Sequence, residues 1–589
     1  MSDFLFSSIQ KPQGELTRHI QSIYHSDAPE VKEFHGPWGS LGVSRNLYNG
    51  FQPLETEQHI FIIIGGPVLY FRDNRFLTES DPVAGTKAVY ERWLNEQIIW
   101  DEDLSGPFAV FVVDKFANQI TYITDMMLFI PIYRYREDNN LFLGTHIDTL
   151  AKTAGRTDNV DTASLVDFVL NGAVTYPYTV YKDIYLALPA SITIETADRV
   201  LTTETYWVPE ETNPYKNINE AATALREGLK KHVDRITENM KEVAQFLSGG
   251  EDSRTLLGLI PSDLKRDAFI FLDSMNREGR TAQKAARAYG ANFHVEFRSP
   301  THYLEILEEA SDLVGSGHEY IHAHSLKFHK TCGLTEYSGV FGGYLSDSLL
   351  KALYARKIRG FGRFPFLPEF ILPGETRTKP MTCPLFEKSI LAEIDERRLK
   401  HMERVRKIRP VTSHEWFVLW PSTMRIAIPN LYSNRRLFRS YEVFLSKDVV
   451  KISAAVPTKW KLNRRLFNKA MRPFLKPTRW LFHPDGRLPY FPWWFNVPVR
   501  FSVWSWHQFT KRTGIAKETG NQGPWFDWDN IINSDKWNEL VKKYWKNISY
   551  LGLAKISDPL ERVFSDEILT KIQKLDLLQT LYKLDSVRK

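Results

Sequence analysis

The segment FLSGGEDSRTLLGLI, Phe246 to Ile260, sets hydroxyls and acids around two glycines, between an apolar run and a leucine-rich stretch of helical spacing. A strand that enters a glycine turn and then a helix leaves backbone N–H groups aimed at one spot, where the helix dipole adds positive potential. Such a corner binds phosphate. Gly249 and Gly250 permit the tight turn and a ligand's close approach. Ser248 and Ser253 supply hydroxyl donors, and Asp252 is suited to hold a magnesium ion against phosphate oxygens. No lysine follows the glycines in the Walker spacing, so γ-phosphoryl transfer is the poorer fit.

A second pattern points elsewhere. His318-Glu319-Tyr320-Ile321-His322 spells HExxH, which on a helix places two imidazoles on one face, as zinc proteases do. No third ligand is placed for it, and histidines hydrogen-bonded beside the nucleotide site are the preferred reading.

The elements that must position these residues follow from texture. At 589 residues the chain exceeds one domain, and 43% hydrophobic and 25% charged content is that of an ordinary globular protein. The net charge of +6 is mild, and basic runs such as Glu396–Arg409 read as solvated helix faces, so no nucleic-acid partner is expected. Cys332 and Cys383 cannot build a disulfide framework and suit a reducing compartment. The N-terminus lacks a signal-peptide pattern, and the apolar run His59–Phe71 is too short to span a membrane. A cytoplasmic protein without membrane contact is expected. Up to about residue 205, β-branched and aromatic runs alternate at period two between short turns, predicting stacked antiparallel sheets with helices near Lys87–Glu96 and Thr162–Leu170. After Tyr206–Asn217, strands alternate with helices, predicting a parallel sheet wrapped by helices. The last third reads as mostly helical, and its Trp- and Phe-rich run Arg479–Phe495 reads as packed core by default, with a pocket or partner contact as the alternative.

The SGGEDSR motif resembles the pyrophosphate-binding SGGxDS loop of the asparagine synthetase-like ATP pyrophosphatases, which include β-lactam synthetases and lasso-peptide cyclases. Phe269–Val295 is similar to that family's second strand and helix, which implies that Leu272, Asp273 and Ser274 lie near the adenosine. Gly342–Ala352, GGYLSDSLLKA, is similar to its second phosphate motif, which implies a ligand-facing Gly343 and a second magnesium ligand in Asp347; Ser348 stands where the family has Glu. Asn434–Leu475 resembles the segment carrying the family's catalytic lysine, whose place falls on Lys461, Arg464 or Lys469, with Lys461 preferred because an Arg there could hold negative charge but not move a proton.

The N-terminal part is similar to the family's glutaminase half. That activity needs an N-terminal Cys nucleophile, whereas this sequence begins Met1-Ser2 and has Gly65-Gly66-Pro67 where the family has Asn-Gly followed by Glu. The resemblance thus implies two domains: residues 1–207, a degenerate glutaminase-like αββα sandwich of the Ntn type, and residues 208–589, a PP-loop α/β synthetase domain. It also implies ATP and Mg²⁺ as cofactors. The expected activity is AMP-forming amide-bond synthesis or cyclisation between a carboxylate and an amine, small-molecule or peptide, without glutaminase activity. An asparagine synthetase using ammonia or glutamine, and a non-catalytic scaffold of the same fold, are the alternatives. A homodimer or a pathway partner is left open.

Overall fold

The computed structural model describes residues 3–78, 80–360, 364, 366–372, 380–513, 522–524, 526–553, 563–564 and 568–587. Two six-stranded sheets form the N-terminal part. Across the first run Tyr185–Leu186, Tyr133–Glu137, Asn140–Gly144, Phe4–Ser7, Gly39–Ser44 and Val31–Gly36. Across the second run Val200–Thr205, Ser191–Glu195, Gln119–Thr124, Phe108–Asp114, His59–Gly65 and Leu54–Glu55. Every pairing is antiparallel. The sheets stack through their apolar faces: Phe4 of the first lies on Phe111 of the second with ring centroids 4.4 Å apart. Helices Glu15–Gln21 and Ile147–Thr153 pack on the outside of the first sheet, and Ala84–Leu94 packs against the second.

A 20-residue helix, Ile218–Thr237, opens the C-terminal part, capped by the Asn217 side chain on the N–H groups of Asn219 and Glu220. Beyond it lies a five-stranded sheet ordered Asn292–Phe297, Lys265–Leu272, Glu242–Phe246, Val340–Gly342, Ser440–Glu442. All four pairings are parallel. Strand order reverses beside Glu242–Phe246, so the crevice at its C-terminal end is where an open α/β sheet accepts a ligand. No described helix is long and apolar enough to cross a membrane.

Buried charge ties the two parts together. Asp3 accepts from Arg435 at 2.7 Å and from Arg436 at 2.7 and 2.8 Å, and the two guanidiniums hold its carboxyl well below the usual range despite burial. Tyr48 donates to the Ser440 carbonyl, and its ring fills the space where a side chain on Gly66 would stand.

Candidate active site

The strand Glu242–Phe246 runs into the turn Leu247–Gly250, and the helix Glu251–Leu259 starts there with Gly250 as its N-cap. Ser253 organises the turn. Its hydroxyl accepts the Ser248 N–H at 3.1 Å and lies 3.1 Å from the Ser248 hydroxyl, which accepts from the Gly250 N–H. The Gly249 N–H donates to Glu278 at 2.7 Å. Three turn amides are therefore satisfied internally, and the amides of Glu251, Asp252 and Ser253, in the helix's first turn, are those that the helical ladder leaves over. Arg254, fully buried, donates to the carbonyls of Gly249, Leu481 and Phe482 and anchors the turn from behind.

The second predicted loop meets the first. After the strand Val340–Gly342 the chain turns through Leu345, at φ 69°, into the short helix Ser346–Leu350. A Cβ on Gly343 would stand 3.5 Å from that of Asp252, and Ser346 donates to Asp252 at 2.6 Å. The buried Lys351 completes the junction: its ammonium contacts Glu251 at 2.9 Å, Asp347 at 3.0 Å and Asp252. Arg464 and Arg487 also donate to Glu251, at 2.7 and 2.8 Å. Burial pushes the Asp252 carboxyl up while Lys351 pulls it down, and the balance is upward. Both residues assigned to magnesium thus come together, but the position between them is held by a lysine ammonium from this chain. A divalent ion does not fit there beside Lys351.

A cleft of about 340 Å³ opens over the C-terminal ends of the strands. Ser248, Asp252 and Ser253 line one side and Gly343 another, with Phe246 and Phe271 as an apolar wall and Arg298 and Glu442 as polar groups. Arg298 is braced by Asp273 at 2.9 Å, the Tyr303 hydroxyl and the Pro524 carbonyl. Glu442 ends the strand Ser440–Glu442; it accepts from the Tyr344 N–H at 3.0 Å, and burial pushes its carboxyl up to about 7. Gly342 is what lets it approach, because a Cβ there would lie 2.2 Å from the carboxylate.

Other predicted residues fall elsewhere. Leu272 is wholly buried in a cluster with Leu247, Leu257 and Ala282, so it packs under the helices and Phe271 faces the cleft instead. Asp273 reaches the cleft only through Arg298, and Ser274 is exposed in the bend after the strand. Lys461, the preferred catalytic lysine, is buried on Glu415 at 2.6 Å, with burial lowering its pKa, and does not line the cleft. Lys469 is exposed and donates to Asn219. Arg464 lines a separate cavity of about 50 Å³ together with Glu251 and Arg487. Sequence reasoning missed Arg298, Glu442 and Lys351. The signal for Arg298 was a charged residue just past the C-terminal end of the strand Asn292–Phe297; Glu442 ends a strand of three residues, Ser440–Glu442, too short to read by pattern.

The HExxH residues do not share a helix face. Tyr320–His322 is a single 3₁₀ turn, His318 meets the Tyr133 hydroxyl at 3.0 Å, and His322 bonds Glu319 itself at 2.8 Å. Among the described residues no cluster of His, Cys, Asp and Glu is arranged to hold a metal.

Fold and site together define a sandwich of two antiparallel sheets joined to a parallel-sheet α/β part that carries the cleft. Residues 47–207 match the family described as glutamine amidotransferase domain. Among solved structures the chain is similar to an allosteric regulatory enzyme of purine biosynthesis, at 10% identity over 51% of this chain and 81% of that one, with a TM-score of 0.24. It is also similar to the glutamine phosphoribosylpyrophosphate amidotransferase from B. subtilis complexed with ADP and GMP, at 10% identity, 50% and 65% coverage and a TM-score of 0.22. No curated protein matches the chain.

Proposed function

We propose that the protein is an ATP-dependent, AMP- and pyrophosphate-forming amide synthetase whose N-terminal domain does not hydrolyse glutamine. The observation that carries this reading is the convergence of two strand-to-helix corners on one cleft, lined by Ser248, Asp252, Ser253 and Gly343 together with the aromatic Phe246 and Phe271. In this reading the phosphates lie at the start of the Glu251–Leu259 helix and the base lies on the aromatic wall.

A substrate carboxylate oxygen then bonds to the α-phosphorus, the bond to the bridging oxygen breaks, and pyrophosphate leaves. Helix-end amides offset the negative charge that builds on the leaving group. Arg298 stands on the cleft wall to stabilise the acyl oxyanion when an amine nitrogen attacks the acyl carbon. Glu442, with its carboxyl near 7, is the group able to take the amine proton as AMP departs. The amine comes from a second substrate, the same substrate or free ammonia.

One feature of the sandwich supports the absence of glutaminase chemistry: Tyr48 packs over Gly66 in the loop where the resembled family has its oxyanion donors. Exchange of labelled pyrophosphate into ATP, driven by a panel of carboxylic acids, tests the proposal. Exchange that Ser253→Ala reduces at least about tenfold fits it, and exchange unaltered by that change refutes the assigned site.

A further inference from the structure

The helix Trp493–Thr513 is arranged inside out. Of its 21 residues only Asn496 and Thr510 are buried, both polar. Asn496 is held by the Leu488 backbone, which it bonds through both N–H and carbonyl. Outward stand Trp494 and Trp506, each 62% exposed, with Phe501 at 49% and Phe509 at 52%. Trp480, also 62% exposed, and Phe482 extend the patch from the preceding segment. A helix meant only for water buries its aromatic face and exposes its amides. An exposed apolar surface of this extent marks a place where something else docks.

Charge decides what docks. From residue 476 to 513 the chain has six Lys and Arg against a single acid, Asp485; Arg487 is buried on Glu251 and Asp485 and Arg500 lines the cavity beside them, while the helix, which has no acid, ends in the exposed Lys511 and Arg512. Five of the chain's 16 tryptophans fall in the same stretch. Trp combines a large apolar ring with a polar N–H and settles at the boundary between headgroups and acyl chains. Lys and Arg on the same helix meet anionic headgroups. The helix lacks the length of uninterrupted apolar residues to cross a bilayer, so it would lie in the interface plane.

We infer that Trp493–Thr513 is a docking element for an anionic lipid surface. This revises the sequence expectation of no membrane contact and the reading of the Trp- and Phe-rich run as packed core. It stands apart from the nucleotide reading, since none of the residues named faces the cleft.

The test uses the full chain and vesicles of phosphatidylcholine with or without one third phosphatidylglycerol. The expected result is co-sedimentation with the anionic vesicles, a blue shift of tryptophan emission, and weakening by added salt. The triple variant W494E/W506E/F509E should lower the partition coefficient at least about tenfold while leaving the urea midpoint in place, because these side chains are exposed. K511E/R512E should remove the preference for anionic over neutral vesicles. Failure of the unaltered chain to bind anionic vesicles would overturn the inference, as would undiminished binding by the triple variant. A concentration-dependent dimer in sedimentation equilibrium that ignores vesicles and is lost in the triple variant would assign the face to a second copy instead.

Discussion

Replacing Lys351 by Met removes one cation from three carboxylates, and the structure says which of them suffers. Glu251 keeps Arg464 at 2.7 Å and Arg487 at 2.8 Å. The Asp347 side chain is 56% exposed and can turn to water. The deficit therefore falls on Asp252, whose side chain is only 23% exposed and retains a single neutral donor, Ser346. Stripping one partner from a buried pair costs about 3–5 kcal/mol. The sign with pH follows from the upward shift of Asp252, to about 6 in the intact protein. Below that value the carboxyl is protonated and has little need of the ammonium; above it the variant must hold a bare carboxylate or a still more raised one. Urea unfolding of Lys351→Met against the unaltered chain should thus show a loss of about 3–5 kcal/mol at pH 8 that shrinks toward pH 5. A loss below about 1 kcal/mol, or one equal at both pH values, would refute the lysine-centred account of this junction.

Other consequences follow. If the ammonium is what excludes a divalent ion, Lys351→Ala should bind Mn²⁺ detectably by electron paramagnetic resonance where the unaltered chain does not. Glu442→Gln should keep pyrophosphate exchange but lose amide formation. Because the raised Glu442 pKa penalises folding as pH climbs from its unfolded value of about 4.3 through about 7, the Gln variant should be the more stable at pH 8 and no more stable at pH 4. Lys461→Ala should lower stability by about 3–5 kcal/mol through the stranded Glu415, and Lys461→Met with Glu415→Leu should recover most of it; full recovery of stability without activity would restore Lys461 as a catalytic candidate. Asp3→Ala leaves two buried guanidiniums without their carboxylate, and the loss, again about 3–5 kcal/mol, should appear by calorimetry as earlier melting of the N-terminal sandwich.

Local features were legible in the sequence, and non-local ones were not. The turn Ser248–Ser253 could be read because its glycines, hydroxyls and acid act within six residues on one strand-to-helix corner. The antiparallel runs before residue 205 declared themselves by alternation, and His59–Gly65, buried along its whole length, by its continuous β-branched character. Leu272 was misplaced because a parallel strand covered on both faces is apolar at every position, so its parity cannot be read. Lys461 and Lys351 look like solvated helix charges, and only packing against Glu415 and against the phosphate turn buries them. HExxH suggested a helix face, and a 3₁₀ turn between buried partners broke it. The aromatic run misled for the opposite reason: rings are packed inside by default, whereas Trp480, Phe482 and Trp494 stand exposed.

The central claim is that the cleft over Ser248–Ser253 holds a nucleoside triphosphate. Isothermal titration of the full chain with α,β-methylene-ATP tests it most directly. One site per chain, weakened at least about tenfold in Ser253→Ala, is the predicted result. No heat of binding, or binding untouched by that substitution, would contradict it.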